Sequence, residues 1–488
     1  GATSFVGVIQ VIHYDAGQGP ARISVGAGSR GSARVSVLTP LRSDADGGSS
    51  LLLSGERDEW SADRAGFERA HGLYRYANAA GAGRFMLDLD ANLLRQDPAS
   101  PHPREGATLT ARFPLDANVN PSDARIDEER LQLGVGYAVE TGLGDWTTRA
   151  ALAHASADVT RGFLREDFAS DGSTINADGY RQDRSTTELY VDTHITRELS
   201  DRSTLVYGFD AQIGEGEQES ENFEYAVLPD GSNAPDSHSR PIDETTELED
   251  RREFGGAYVQ LHVDVTERWR VDAGLRLNHT REEREGEEGE LGEEEGEEEF
   301  EGRDTRSDTR LSGALGTSFD LWQGDSDALT FFASYRDSYK PAVIDFGPEA
   351  EADILEPESA ESLEVGLRGE HLAQRLDWEL SLFRMDFHNL VLSQQVNGSP
   401  ALINAGEERF EGAEFETHFA ITPSFDAVGS WAYHAARFAD FEQLFGNTPT
   451  QLRGNLLELS PRHVSSVGLI YHPEHGLNAG VFAQHVGD

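Results

Sequence analysis

Sixteen histidines and 88 Asp plus Glu residues supply this 488-residue chain with many groups able to hold cations or move protons. There is no Cys, so thiolate metal sites, Cys nucleophiles and disulfide scaffolds are excluded. The histidines show no His-Glu-x-x-His or comparable spacing. His472 and His475 stand three residues apart, but in a stretch that reads as a tight turn, where both are solvated turn residues. Asp264, Arg276, Glu364, Arg368 and Glu414 fall on the polar side of alternating segments. Such side chains contact a polar ligand or pair with one another across the interior of a barrel wall. No nucleophile beside a base and no paired acids stand out, so the reading is of a protein that is not an enzyme. It predicts no catalytic residue, no metal centre and no cofactor, and it leaves the ligand-binding residues unassigned.

The charge balance of these groups is informative once located. Lys plus Arg number 41 against 88 acids, a net −47, which excludes a nucleic-acid binder working through a basic face. Residues 215–253 carry 13 acids and 3 Arg, residues 282–301 carry 13 Glu and one Arg, and residues 345–361 carry 7 acids and no base. The stretch at 282–301 repels itself and has almost nothing apolar to bury, so it reads as a solvated loop. Its Glu-Glu-Gly repeats lack the ligand spacing of a Ca²⁺ loop, although a cation-collecting role is the alternative. A single Lys, Lys340, stands against 40 Arg, which reflects base composition more than chemistry.

The elements that must position these groups are strands. Only 37% of residues are hydrophobic, and no apolar run approaches the roughly 20 residues of a membrane-spanning helix. Apolar side chains instead recur with a period of two. Ala257, Val259, Leu261, Val263 and Val265 alternate with Tyr258, Gln260, His262 and Asp264, and Leu131 to Val139 and Ala413 to Ile421 follow the same rule. These runs have the roughly 9–11 residues that cross a bilayer as tilted strands. Phe383, Met385 and Phe387 invert the alternation set by Leu376, Trp378, Leu380 and Leu382, which predicts a bulge or aromatics packed inward. Trp146, Trp269, Trp322, Tyr335, Tyr339, Trp378, Trp431 and Tyr471 lie near strand ends and read as interfacial girdles.

Connections alternate short and long. Short turns are expected near 142–145, 198–203, 266–268, 320–328, 372–375, 422–424 and 473–476. Long polar loops are expected at 57–82, 114–129, 158–184, 214–253, 282–306, 339–361, 389–409 and 439–461. Outer-membrane barrels have this asymmetry, with the long loops outside. The predicted fold is therefore all-β, a transmembrane antiparallel β-barrel. About 19 strands are present; bacterial barrels close with even numbers, and 22 is the size of plugged transporters, which implies three further strands after Asp488.

Local strings then resemble a known family, the TonB-dependent receptors of Gram-negative outer membranes. The opening GATSFVGVIQVIHY, with Gly7, Val8 and Ile9, resembles the last segment of that family's plug domain. The succession ESLEVGLRGE, LDWELSLFRMDFHNLVL and LINAGEERFEGAEFE is similar to three consecutive barrel strands, in which Asn404, Gly406, Gly412 and Glu414 match an Asn-x-Gly then Gly-x-Glu pattern. The resemblance implies residues 1–16 as the end of a plug and 17–488 as an incomplete barrel with long extracellular loops.

It further implies a receptor for active uptake of a scarce nutrient, an iron chelate of the siderophore kind foremost. Its partners would be the TonB-ExbB-ExbD complex, reached through an N-terminal TonB box and plug not read here, outer-membrane lipid and lipopolysaccharide, and a small-molecule ligand. An acidic mouth disfavours highly anionic cargo. The alternatives are a passive porin, against which the plug-like first segment argues, and a soluble acidic cation- or carbohydrate-binding β-protein.

Overall fold

The computed structural model describes residues 14–487 except 106–107, 166–173, 291–297, 325, 342–343, 345–353, 397–398, 446–447 and 458–459. Gly7, Val8 and Ile9 lie outside the described residues. Strands β1 (Arg22–Ala27), β2 (Ala33–Ser43), β3 (Gly47–Glu59), β4 (Gly66–Ala80) and β5 (Gly83–Asp97) open the sheet. A small hairpin of β6 (Arg104–Glu105) and β7 (Thr108–Leu109) precedes β8 (Arg125–Thr141), β9 (Gly144–Leu164) and β10 (Ala177–Ser200). Next come β11 (Ser203–Tyr225), β12 (Glu244–Thr266), β13 (Trp269–Glu290), β14 (Glu298–Gln323) and β15 (Ala328–Lys340). Then follow β16 (Glu358–His371), β17 (Leu376–Val396), β18 (Ser399–Thr422) and β19 (Phe425–Asp440). A second small hairpin, β20 (Glu442–Phe445) with β21 (Thr448–Gln451), precedes β22 (His463–Tyr471) and β23 (Ala479–Gly487). Apart from the two small hairpins, the strands form one 19-stranded sheet in which chain neighbours pair antiparallel. No described helix is long and apolar enough to cross a membrane.

Register makes the two faces chemically different. Phe209, Ala257, Leu277 and Leu311 sit side by side on adjacent strands, and Phe209 and Leu311 are each 60% exposed. On the opposite face the row beside them is His194, Gly208, Tyr258, Arg276 and Ser312. An apolar, exposed outer face backed by a polar inner face is the pattern of a barrel that meets lipid outside and water inside. Trp146 and Trp269 lie on the apolar face near the short turns, and each donates its indole N–H to a threonine of the next strand, Thr193 at 2.8 Å and Thr317 at 2.9 Å. Tyr339 departs from the girdle reading, because its hydroxyl turns to Thr280.

One end of the sheet carries turns such as 142–143, 201–202, 267–268 and 423–424; the other carries the connections 98–124, 226–243, 341–357 and 441–462. The alternation of short and long is therefore present, but five expected loops, 57–82, 158–184, 214–253, 282–306 and 389–409, are more than half strand. Residues 66–80 of the 57–82 stretch form β4, where Arg75 and His71 face inward to Asp88 and Asp90 while Tyr74 and Tyr76 share the outer face with Leu89 and Leu87. Residues 389–409 lie largely within β17 and β18, joined through 397–398. The acidic stretch 282–301 is not simply a solvated loop, since β13 and β14 stay paired out to Glu290 and Glu298. Backbone ladder bonds need no apolar side chain, so the strands project well past the apolar band.

The inverted aromatics of β17 are packed inward without a bulge, the pairing with β16 running unbroken from Leu376 to His388. Phe387 is buried against Phe410, with ring centroids 5.1 Å apart, and Phe383 meets His434 edge-on at 5.5 Å.

Candidate functional site

The inner face is a wall of paired charges. Arg276 donates two bonds to Asp210, at 2.6 and 2.9 Å, and lies over the rings of Phe254 and Tyr258. The Tyr258 hydroxyl donates to Asp192, whose other oxygen meets His194. Arg368 is bound to Glu379, and Glu414 to His434 at 2.8 Å. Asp264 lies near the short-turn end with His262 3.6 Å away. Of the residues expected to point inward, Arg276, Arg368 and Glu414 are thus engaged with neighbouring strands, while Glu364 lies half-buried near Glu379 and Glu414. His472 pairs with Asp426, which also meets His418, rather than with His475.

Asn404, Gly406, Gly412 and Glu414 all lie on β18. Asn404 ties the chain between β15 and β16 to this strand: its carbonyl accepts from Glu356 N at 2.7 Å and its amide donates to the carbonyls of Glu356 and Asn389. A Cβ at Gly412 would fall 2.8 Å from Phe383 Cζ and 2.1 Å from Tyr433 O, so only glycine admits the inward ring beside the neighbouring strand.

Above the apolar band, towards the long loops, the inner face carries buried charge that strand alternation alone did not single out. Asp250, Glu282 and Arg284 are all buried; Arg252 grips Glu282 at 2.5 Å, and Arg284 Nε stands 3.7 Å from Asp250. Lys340 donates to buried Glu358 at 2.6 Å, which also accepts from Val391 N. Beside it Glu408 is 1% exposed, and neither of its carboxylate oxygens has a hydrogen-bond partner. Burial, reinforced by Glu358, pushes the Glu408 carboxyl up to about 7.

The long connections fold onto the outside of the same end. Phe113 and Val119 from 98–124 pack with Ala177, Phe223, Tyr225 and Val227, and the Tyr225 hydroxyl donates to Val119 O at 2.8 Å. Asp123 accepts from Ser237 N at 2.8 Å and Ser237 Oγ at 2.6 Å, clasping 98–124 to 226–243. Burial opposes ionisation of Asp123, but the Ser237 bonds outweigh it and hold its carboxyl below the usual range. Asp123, Asp236 and His238 bring one ligand atom each within 4.8 Å of one another, a grouping of more than one hundred residues' separation that no local motif reveals.

The family model for TonB-dependent receptor-like β-barrels matches residues 57–488.

The chain belongs to the TonB-dependent receptor family.

These are receptors, not enzymes, and the barrel family resides in the outer membrane. The catecholate siderophore receptor Fiu of Escherichia coli K12 is 23% identical over 192 residues, 38% of this chain but only 24% of that receptor. In the solved structures, the closed form of Fiu superposes with a TM-score of 0.73 at 15% identity, over 97% of this chain and 73% of Fiu. The ferric yersiniabactin receptor FyuA of Yersinia pestis gives 0.68 at 18% identity, over 92% of this chain and 65% of that one. This TonB-dependent receptor barrel thus spans about two thirds of the FyuA chain, and the solved relatives share its fold.

Proposed function

We propose that this barrel belongs to a receptor that takes up a scarce nutrient across the outer membrane of a Gram-negative bacterium, driven by the TonB-ExbB-ExbD complex. The match of the barrel family across residues 57–488 carries this reading. An iron chelate of the siderophore kind is the leading cargo, supported by the cargoes named for Fiu and FyuA. In this reading residues 1–16 are the end of a plug that reaches TonB, 17–488 form the barrel, and the long connections face outward into lipopolysaccharide. Gly7, Val8, Ile9, Asn404, Gly406, Gly412 and Glu414 serve as structural family positions. Growth of an iron-starved host on a panel of single ferric chelates tests the cargo. One or more chelates should support growth only when the receptor is expressed; no receptor-dependent growth on any of them would overturn the iron assignment.

A further inference from the structure

Four strands hold the chain that enters β16 against the inner face. Ile354 is buried, and its N–H donates to Asp304 of β14 at 3.0 Å. Asn404 of β18 holds Glu356 through both its amide N–H and its carbonyl, and Asn389 of β17 donates to the Glu356 carboxylate at 3.0 Å. Glu358, the first residue of β16, is buried and accepts from Lys340 of β15 at 2.6 Å and from Val391 N of β17 at 3.1 Å. Residues 354–357 thus form a strap, tied by side chains rather than by a ladder and fastened at its end through one carboxylate.

Glu408 lies on the face of β18 that carries Asn404, with Phe387 of β17 and Phe438 of β19 directly opposite it. It is 1% exposed, and neither of its carboxylate oxygens has a hydrogen-bond partner. Glu358 is the charged group that acts on it; His388 pairs with Glu407, and Asp386 with Arg409, on the opposite face. The two buried carboxyls are unequal. Glu358 has an ammonium and an N–H donor, which favour its charge, whereas Glu408 has apolar rings across from it and a like charge beside it. The proton therefore goes to Glu408, and burial with Glu358 nearby holds it there up to about pH 7. Loss of that proton sets two carboxylates side by side away from water, a cost relieved when one of them moves out. Glu408 is fixed within β18 by pairing on both sides. The strap has only its side-chain ties, so it is the element that yields.

We infer that Glu408 is a proton-operated lock on this strap: protonated, it leaves Glu358 and residues 354–357 seated on β17 and β18, and ionised, it drives them off the inner wall. The lock belongs to the wall, and its test uses neither cargo nor TonB, so its failure would leave the uptake reading standing. Hydrogen–deuterium exchange at pH 6 and pH 8 tests it, on the protein extracted from outer membranes in detergent, resolved to single amides and corrected for the intrinsic rate. The amides of Ile354, Glu356 and Val391 report the strap, since each donates to a side chain across the contact that release would break. Their protection should fall about tenfold from pH 6 to pH 8, the change for one proton held up to about pH 7 in the seated state and only to ~4 in the released one. The ladder amides of Leu380 and Leu382, in the middle of β17, should not follow. Glu408→Gln should keep the strap's protection at its pH 6 level throughout. If that variant lacks the heat-modifiable band of a folded barrel, Glu408→Met, as long and apolar, decides in its place. No fall in the unaltered protein, a fall that persists in a folded variant, or an equal fall at Leu380 and Leu382 would overturn the lock.

Discussion

Glu408 and Asp250 are carboxyls whose ionised forms the fold penalises. Burial is the main cause in each, with Glu358 acting on Glu408 and Glu282 acting on Asp250, and both lie on strand extensions beyond the apolar band. Both folded-state values are raised, so their favourable contribution is complete below the unfolded carboxylate range near ~4 and is lost as pH rises through about 7. Barrel stability in urea should therefore be greater at pH 5 than at pH 8, and Glu408→Gln should reduce that difference by an amount on the order of a few kcal/mol. A pH dependence unchanged by this variant would contradict the assignment. Gly412 makes a second residue-scale prediction. Gly412→Ala should destabilise by about 1–3 kcal/mol, and Phe383→Ala should not rescue it, because the Tyr433 carbonyl still stands 2.1 Å from the new Cβ. The inward ring of Phe383 was legible as a break in alternation. The pairing of Arg276 with Asp210, 66 residues away, was not, because it depends on register between strands.

At the scale of elements, pairing lines up like charges. On the outer face above the apolar band, Asp127, Asp158, Asp183, Glu219, Glu247 and Glu287 form one row across six neighbouring strands. Asp158 is bound to Arg125, but Asp183, Glu219, Glu247 and Glu287 have no ion pair among the described residues. Like charges directly opposite one another destabilise a sheet and are screened by salt. Glu219→Gln with Glu247→Gln should raise stability by roughly 0.2–1 kcal/mol at low ionic strength, and that gain should vanish in molar salt; a gain independent of salt would contradict the charge account. The Asp123 clasp predicts that Asp123→Asn speeds amide exchange across 230–240 without altering β12 or β13. Local repulsion in the sequence was legible, and it argued for a solvated loop at 282–301, beside the long polar loop expected at 214–253. The long strands were missed because ladder hydrogen bonds, which the side chains do not report, continue through those segments.

For the whole molecule, period-two alternation and the short-long rhythm of connections made the architecture legible: an up-and-down antiparallel sheet of 19 strands. The cargo was not legible, because ligand contacts arise where distant strands and long connections converge. Orientation is directly testable, since the chain has no Cys. With single replacements at exposed positions, an impermeant maleimide applied to intact cells should label Asp230→Cys, in the 226–243 connection, and leave Asp201→Cys, in the 201–202 turn, unlabelled until the envelope is opened. The reverse pattern would invert the barrel in the membrane. Energy-driven uptake is tested by the initial rate of entry of the growth-supporting, radioiron-labelled chelate into cells with and without TonB. Saturable entry that disappears without TonB is the expected result. Entry at the same rate in both strains would contradict it and make the molecule a passive pore.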